Sequence, residues 1–167
     1  MKTKLIAVIG GHSHNTSREA EAFATAVGAA LARRGYGVVC GGGDGIMEAA
    51  CRGCAEAGGI TVGMLKFNDP ADCNPYIKVA IPTSMNVASN NVIIWSASAV
   101  LAFEGRYGTL NEMALALDFG KPLMVLDKAP LLDVSKVASD RFVHVPDATS
   151  DDIEALLDRM QGMIESA

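Results

Sequence analysis

Two glycine-rich turns hold the residue types in this sequence best suited to chemistry on an anion. Gly41-Gly42-Gly43-Asp44-Gly45 precedes an apolar, helix-periodic stretch starting at Ile46, and Gly105-Arg106-Tyr107-Gly108-Thr109 precedes another at Leu110. The first backbone N–H groups of a helix have no partner inside it, and the helix dipole adds positive charge there, so such a start attracts a phosphate. Glycine lets that phosphate approach the backbone closely. A third small-residue turn, Gly10-Gly11-His12-Ser13-His14, follows the first apolar run. The expected phosphate-binding set is Gly11, Ser13, Gly41, Gly42, Gly43, Asp44, Gly45, Gly105, Tyr107, Gly108 and Thr109. For the Gly41–Gly45 turn the plain alternative is a tight bend that uses glycine for its positive φ. Asp44 would repel a phosphate, so it either caps the following helix or contacts a ribose or a metal.

Glu112 lies three residues after Thr109. One reading is a capping box, with Glu112 bonding back to the helix start. The other is a general acid or base facing a pocket. His12 and His14 can contact ligand oxygens or titrate near neutrality, although exposed loop histidines without a role are commoner. His144 reads as structural. Cys51-x-x-Cys54 falls inside a helix and has no second pair at zinc-site spacing, so buried thiols are expected and no metal site. Neither G-x-G-x-x-G after the first strand nor G-x-x-x-x-G-K-[ST] is present.

The elements that must position these residues alternate along the chain. Apolar runs predict strands over 5–9, 36–40, 60–65, 77–81, 99–103, 123–126 and 141–145. Helical spacing predicts helices over 17–34, 46–57, 85–96, 110–119 and 151–164. Thr16 with Glu19 looks like a capping box before the first helix, and Thr149 and Ser150 are cap candidates for the last. The segment 66–76 reads as a loop. Repeated strand–helix units imply a Rossmann-like α/β fold, a mostly parallel sheet with helices on both faces, as one domain over 1–167. Ligands in such sheets sit beyond the carboxyl ends of the strands. The loops 10–15, 41–45 and 104–109 should meet there.

The chain has 167 residues, 14 basic and 19 acidic, for a net charge of −5. Without a basic run it is a poor candidate for nucleic acid or an anionic membrane. No apolar stretch is long enough to span a bilayer, and the first apolar run is too short for a signal peptide. Four cysteines without a disulfide-like pattern suit a cytoplasmic setting.

Gly41-Gly42-Gly43-Asp44-Gly45-Ile46-Met47-Glu48-Ala49-Ala50 resembles the first signature of the Lonely Guy (LOG)-like superfamily, once described as lysine decarboxylase-like. Gly105-Arg106-Tyr107-Gly108-Thr109-Leu110-Asn111-Glu112 resembles its second, PGGxGTxxE. Asn74-Pro75-Tyr76 and Ile81-Pro82-Thr83 look like the bacterial branch that includes molybdenum-cofactor carrier proteins. The resemblance spans roughly residues 4–127. It implies nucleotide-like ligands, a homodimer or homotetramer, and, in enzymatic members, hydrolysis of a nucleoside 5′-monophosphate to free base and ribose 5-phosphate. The motif threonine and glutamate match Thr109 and Glu112.

The departures are specific. The PGG opening is Glu104-Gly105-Arg106, which adds an acid beside the expected phosphate site. The arginine usual before the central strand is absent, with Ser89, Asn90 and Asn91 nearest, and Trp95 replaces a second. A hydrolase needs positive charge where the leaving base and ribose oxygens develop charge, and Arg106 is the substitute within the motif. The expected function is therefore a binding or carrier protein for a phosphorylated nucleotide-like molecule, a bound nucleotide or molybdenum cofactor, with no obligatory cofactor. The alternatives are a phosphoribohydrolase using Glu112 and Arg106, or a vestigial site on a partner-binding module. A pyridoxal decarboxylase has no support, because Lys66 and Lys121 lack a cofactor context.

Overall fold

A computed structural model describes residues 2–166. Seven strands form one sheet: β1 (Leu5–Ile9), β2 (Gly37–Cys40), β3 (Thr61–Leu65), β4 (Val79–Pro82), β5 (Ala99–Ala102), β6 (Leu123–Val125) and β7 (Phe142–His144). Their spatial order is β4-β3-β2-β1-β5-β6-β7. Every neighbouring pair is parallel. The order reverses at β1, which pairs with β2 on one side and β5 on the other. Ligand clefts open at such a switch point.

Helices α1 (Arg18–Arg33), α2 (Ile46–Glu56), α3 (Ser89–Ser96), α4 (Tyr107–Asp118) and α5 (Ile153–Glu165) connect and cover the strands. The strands β1, β2, β3, β5 and β6 are almost wholly buried, which explains why they read as unbroken apolar runs. Side chains alternate between two core layers. Ile6, Val8, Val38 and Leu101 pack with α1, α2 and α5. Ala7, Ile9, Val39 and Val100 pack with α3 and α4.

The caps differ from the expected ones in two places. Ser17, not Thr16, starts α1, its hydroxyl accepting from the Ala20 N–H at 3.1 Å. Thr16 instead donates to Glu21. The α4 helix begins at Tyr107, so Thr109 sits inside its first turn and cannot be its cap, and no side chain caps that helix. The last helix follows the expectation: Thr149 and Asp152 form a capping box ahead of α5. The segment expected as a helix over 85–96 is a short 3-10 turn, Asn86–Ala88, followed by α3.

Candidate anion-binding cleft

The turns after β1, β2 and β5 meet at the carboxyl edge of the sheet through backbone contacts. The Gly11 N–H donates to the Glu104 carbonyl at 2.7 Å, and the Gly11 carbonyl accepts from the Ile46 N–H at 3.1 Å. Gly11 therefore joins the β1 turn to the β5 turn on one side and to the start of α2 on the other. Gly45 permits this approach. Its φ is 65°, and a Cβ there would collide with the Gly11 carbonyl and the Ser13 N–H.

These turns enclose a cleft of about 480 Å³. Of the expected site residues, Gly11, Gly41, Gly43, Arg106, Gly108, Thr109 and Glu112 line it. Gly42, Gly45 and Gly105 shape the turns from behind. A Cβ on Gly42 would meet Leu65, and one on Gly105 would strike the Thr109 side chain. Tyr107 points to solvent, 73% exposed, outside the lining. Ser13 also lies outside it.

Asp44 neither caps α2, whose N-cap Gly45 has no side-chain bond, nor lines the cleft. Its carboxylate accepts from the Ser13 hydroxyl at 2.6 Å and pairs with His12 Nδ1. The Ser13 bond, opposed by partial burial and joined by His12, holds its pKa below the usual carboxylate range. The carboxylate is thus turned onto two donors of the β1 turn, which removes the conflict with a phosphate. Glu104 behaves similarly. Its two oxygens accept the Ser17 N–H at 2.7 Å and the Ser17 hydroxyl at 2.8 Å at the start of α1. The acid expected beside the phosphate position faces away from it.

At the starts of α2 and α4, backbone donors remain without intrahelical partners. The first intrahelical bonds there are Ala49 N–H to the Gly45 carbonyl and Leu110 N–H to the Arg106 carbonyl. The N–H groups of Met47 and Glu48, and those of Tyr107, Gly108 and Thr109, precede them. Met47, Gly108 and Thr109 line the same cleft, so both helix dipoles bear on it.

Glu112 lies one turn further along α4. Its side chain is half-buried and lines the cleft. It does not form the capping box with Thr109, because the helix starts two residues before Thr109. Burial pushes its pKa up to about 8, with the Lys66 charge pulling the other way. The carboxyl therefore holds its proton to higher pH than an exposed glutamate does.

Several lining residues were not among the expected site residues. Lys66, Phe67 and Asp72 come from the loop after β3, Asn86 from the turn before α3, and Asn90 from α3. Asn90 occupies one of the positions left by the missing arginine, and it donates to Asn111 on α4 at 2.9 Å. Asn74 is 7% exposed and clamps the β2 turn. Its side-chain amide donates to the Gly43 carbonyl at 2.9 Å and the Gly42 carbonyl at 3.3 Å, and its own N–H donates to Gly42 at 2.8 Å. Asn74-Pro75-Tyr76 was visible as a motif, but the 31-residue gap to Gly43 hid the contact.

The remaining candidates lie elsewhere. Trp95 is 60% exposed and stacks on Phe119 at 4.5 Å, away from the cleft. His14 bonds with Asn15, and His144 with the Asp127 carbonyl at 2.8 Å. Cys51 and Cys54 are buried in α2, with Cys51 Sγ 3.6 Å from Cys40 Sγ. Among the described residues no group of three or more His, Cys, Asp or Glu side chains is arranged to hold a metal ion. Among them, too, no helix is long and apolar enough to cross a membrane.

Comparison with known proteins agrees with this architecture. A protein from Archaeoglobus fulgidus is 33% identical over 137 residues, covering 82% of this chain and 89% of that one. The molybdenum cofactor binding protein from the phototrophic bacterium Rippkaea orientalis has a similar structure, with a TM-score of 0.83, 27% identity, and coverage of 96% of this chain and 99% of that one. The Moco carrier protein from Chlamydomonas reinhardtii has a TM-score of 0.84 at 25% identity, again covering 96% and 99%. Residues 3–153 match the SLOG cluster4 family, and with the two glycine turns folded against one cleft at the switch point of a parallel sheet, the chain belongs to that family.

Proposed function

We propose that the protein binds and carries a phosphorylated, nucleotide-like small molecule, with molybdenum cofactor as the leading cargo. The observation that carries this reading is the convergence of unbonded amides from the starts of α2 and α4 on one cleft. The phosphate would rest against the Gly41–Gly43 turn and the Gly108–Thr109 helix start, and Glu112 and Asn90 would meet the ligand beyond it. A cleft of about 480 Å³ suits a mononucleotide-sized molecule. The similarity to molybdenum-cofactor-binding proteins supports the choice of cargo.

Mass spectrometry of small molecules that co-purify with the protein should find a phosphorylated heterocycle. Calorimetric titration with nucleoside monophosphates and pterin phosphates should give saturable heat. No co-purifying molecule together with no heat from any of them would end the reading.

A second reading, phosphoribohydrolase, is favoured by the raised pKa of Glu112, a residue of the cleft lining, which suits a general acid for a departing base. Incubation with AMP and CMP would then release free base, and Glu112→Gln would abolish the release. Base release equal in the two proteins would refute it. A vestigial site would have the cleft filled by Arg106 or Trp95, and it is disfavoured because Trp95 lies outside the cleft and Arg106 lines it with about 480 Å³ still open. A cytoplasmic homo-oligomer completes the proposal. It is supported by the four cysteines and by exposed apolar side chains at Val79, Ile81, Met85, Val87 and Trp95.

A further inference from the structure

The protein is acidic overall, yet two cations that form no ion pair among the described residues, Lys66 and Arg106, line its cleft. Lys66 follows β3 and Arg106 follows β5, and the sheet order β3-β2-β1-β5 sets the glycine turns of β2 and β1 between them. The outer two strand ends stand roughly 14 Å apart, three strand spacings, so two long side chains can close on the centre from opposite sides. Among the described residues, neither Lys66 nor Arg106 forms an ion pair. Arg106 only packs over the Tyr107 ring at 5.9 Å. The Lys66 backbone is fixed, because its carbonyl accepts the Asn86 N–H at 3.0 Å, while its ammonium is uncommitted.

The acids around the cleft are mostly accounted for. Asp44 is engaged by Ser13 and His12, and Glu104 by Ser17. Asp72 and Glu112 remain in the lining, and the Lys66 charge acts on Glu112 without forming an ion pair with it. Two helix starts alone can hold one negative charge. Two further unpaired cations, flanking the same amides, exceed what a single charge requires.

We propose that Lys66 and Arg106 are ligand contacts that make the cleft selective for a terminal phosphomonoester, a dianion, over a phosphodiester with its single charge. Lys66 thereby supplies a cation that the motif positions lack. The inference rests on the phosphate reading above and narrows it to a ligand class. It sets the cleft against nucleic-acid backbones, whose phosphates are diesters.

The test uses calorimetry of the whole protein with two probes, AMP and adenosine 5′-O-methylphosphate, at low and high salt. AMP should bind about tenfold or more tighter than its methyl ester, the effect of one added charge-assisted contact. Lys66→Met should weaken AMP about tenfold and shrink the preference, while Lys66→Arg keeps both. Equal affinity for the two probes, or unchanged AMP binding in Lys66→Met, would overturn the proposal and leave the phosphate reading standing. If wild-type protein binds neither probe, the selectivity proposal falls, and the phosphate reading falls with it only if pterin phosphates give no heat and no phosphorylated molecule co-purifies. A carbon-detected titration of the Glu112 carboxyl supplies a readout that a purely structural lysine would not move. Its midpoint should rise in Lys66→Met, and an unmoved midpoint would mean that Lys66 points out of the cleft. Thermal unfolding checks that the variant is folded, with Lys66→Gln as the replacement if Lys66→Met is not.

Discussion

At the scale of single residues, the cleft depends on where a few polar groups are turned. Asp44 and Glu104 look like obstacles to a phosphate in the sequence, and both are bonded to the start of a neighbouring element. Their partners lie 31 and 87 residues away, so no local pattern could reveal it. Glu112 was legible as a candidate, but not the choice between cap and pocket group, because that depends on whether α4 starts at Tyr107 or Thr109. Its raised pKa has a thermodynamic consequence. The folded protein keeps a proton that the unfolded chain, titrating near about 4.3, has released, so stability falls as pH rises from there through about 8. Glu112→Gln removes that loss. Its melting temperature should exceed the wild type's at pH 8, by about 2 °C or more, and match it near pH 4. An equal difference at both pH values would contradict the buried-acid account. Asn74→Ala leaves the Gly42 and Gly43 carbonyls without their side-chain donor and should cost about 1–3 kcal/mol. Amide exchange in residues 41–45 should speed up with it. Unchanged exchange there would show that the turn holds its shape without the clamp.

At the scale of elements, strand and helix alternation was readable because parallel strands buried on both faces are continuous apolar runs. Most boundaries moved by a residue or two, but α4 starts three residues earlier than expected and α3 four residues later. The contact between α1 and α2 was not readable. Gly28 and Gly53 sit where the two helix backbones touch: a Cβ on Gly28 would strike the Ala50 carbonyl, and one on Gly53 the Thr25 carbonyl. In the sequence both are merely glycines inside helices, normally a weakening. The obstacle is backbone on each side, which has no side chain to swing away. Gly53→Ala should therefore destabilise by about 1–3 kcal/mol, despite the helix-propensity gain of about 1 kcal/mol. Urea unfolding measures the difference, and a stabilised variant would show that the helices are free to separate. Because α2 also carries the β2 turn into the cleft, the variant should weaken ligand binding too.

At the scale of the whole molecule, composition and charge argued against nucleic acid and an anionic membrane as partners, and Lys66 and Arg106 place two cations locally at the cleft of an acidic chain. The order of the strands was not legible, since it depends on which face each crossover takes. The sheet ends at β4, an edge strand exposing Val79 and Ile81, with Met85, Val87 and Trp95 also on the surface. If these side chains form a homo-oligomer contact, sedimentation should give a dimer or tetramer for the wild type, and Ile81→Glu or Trp95→Glu should shift it toward monomer. Monomeric wild-type protein at high micromolar concentration would rule that out.

Glu104 stands where the related motif opens with proline, and it is fastened twice, by its backbone oxygen to Gly11 and by its carboxylate to Ser17. A ring that restricts rotation and a tether that anchors both sides of the chain are unlike chemically and alike mechanically. In this chain the carboxylate tether fastens the turn after β5 to the start of α1 where no ring is present. A pattern that demands proline at this position passes over a chain whose turn is anchored by a side chain instead.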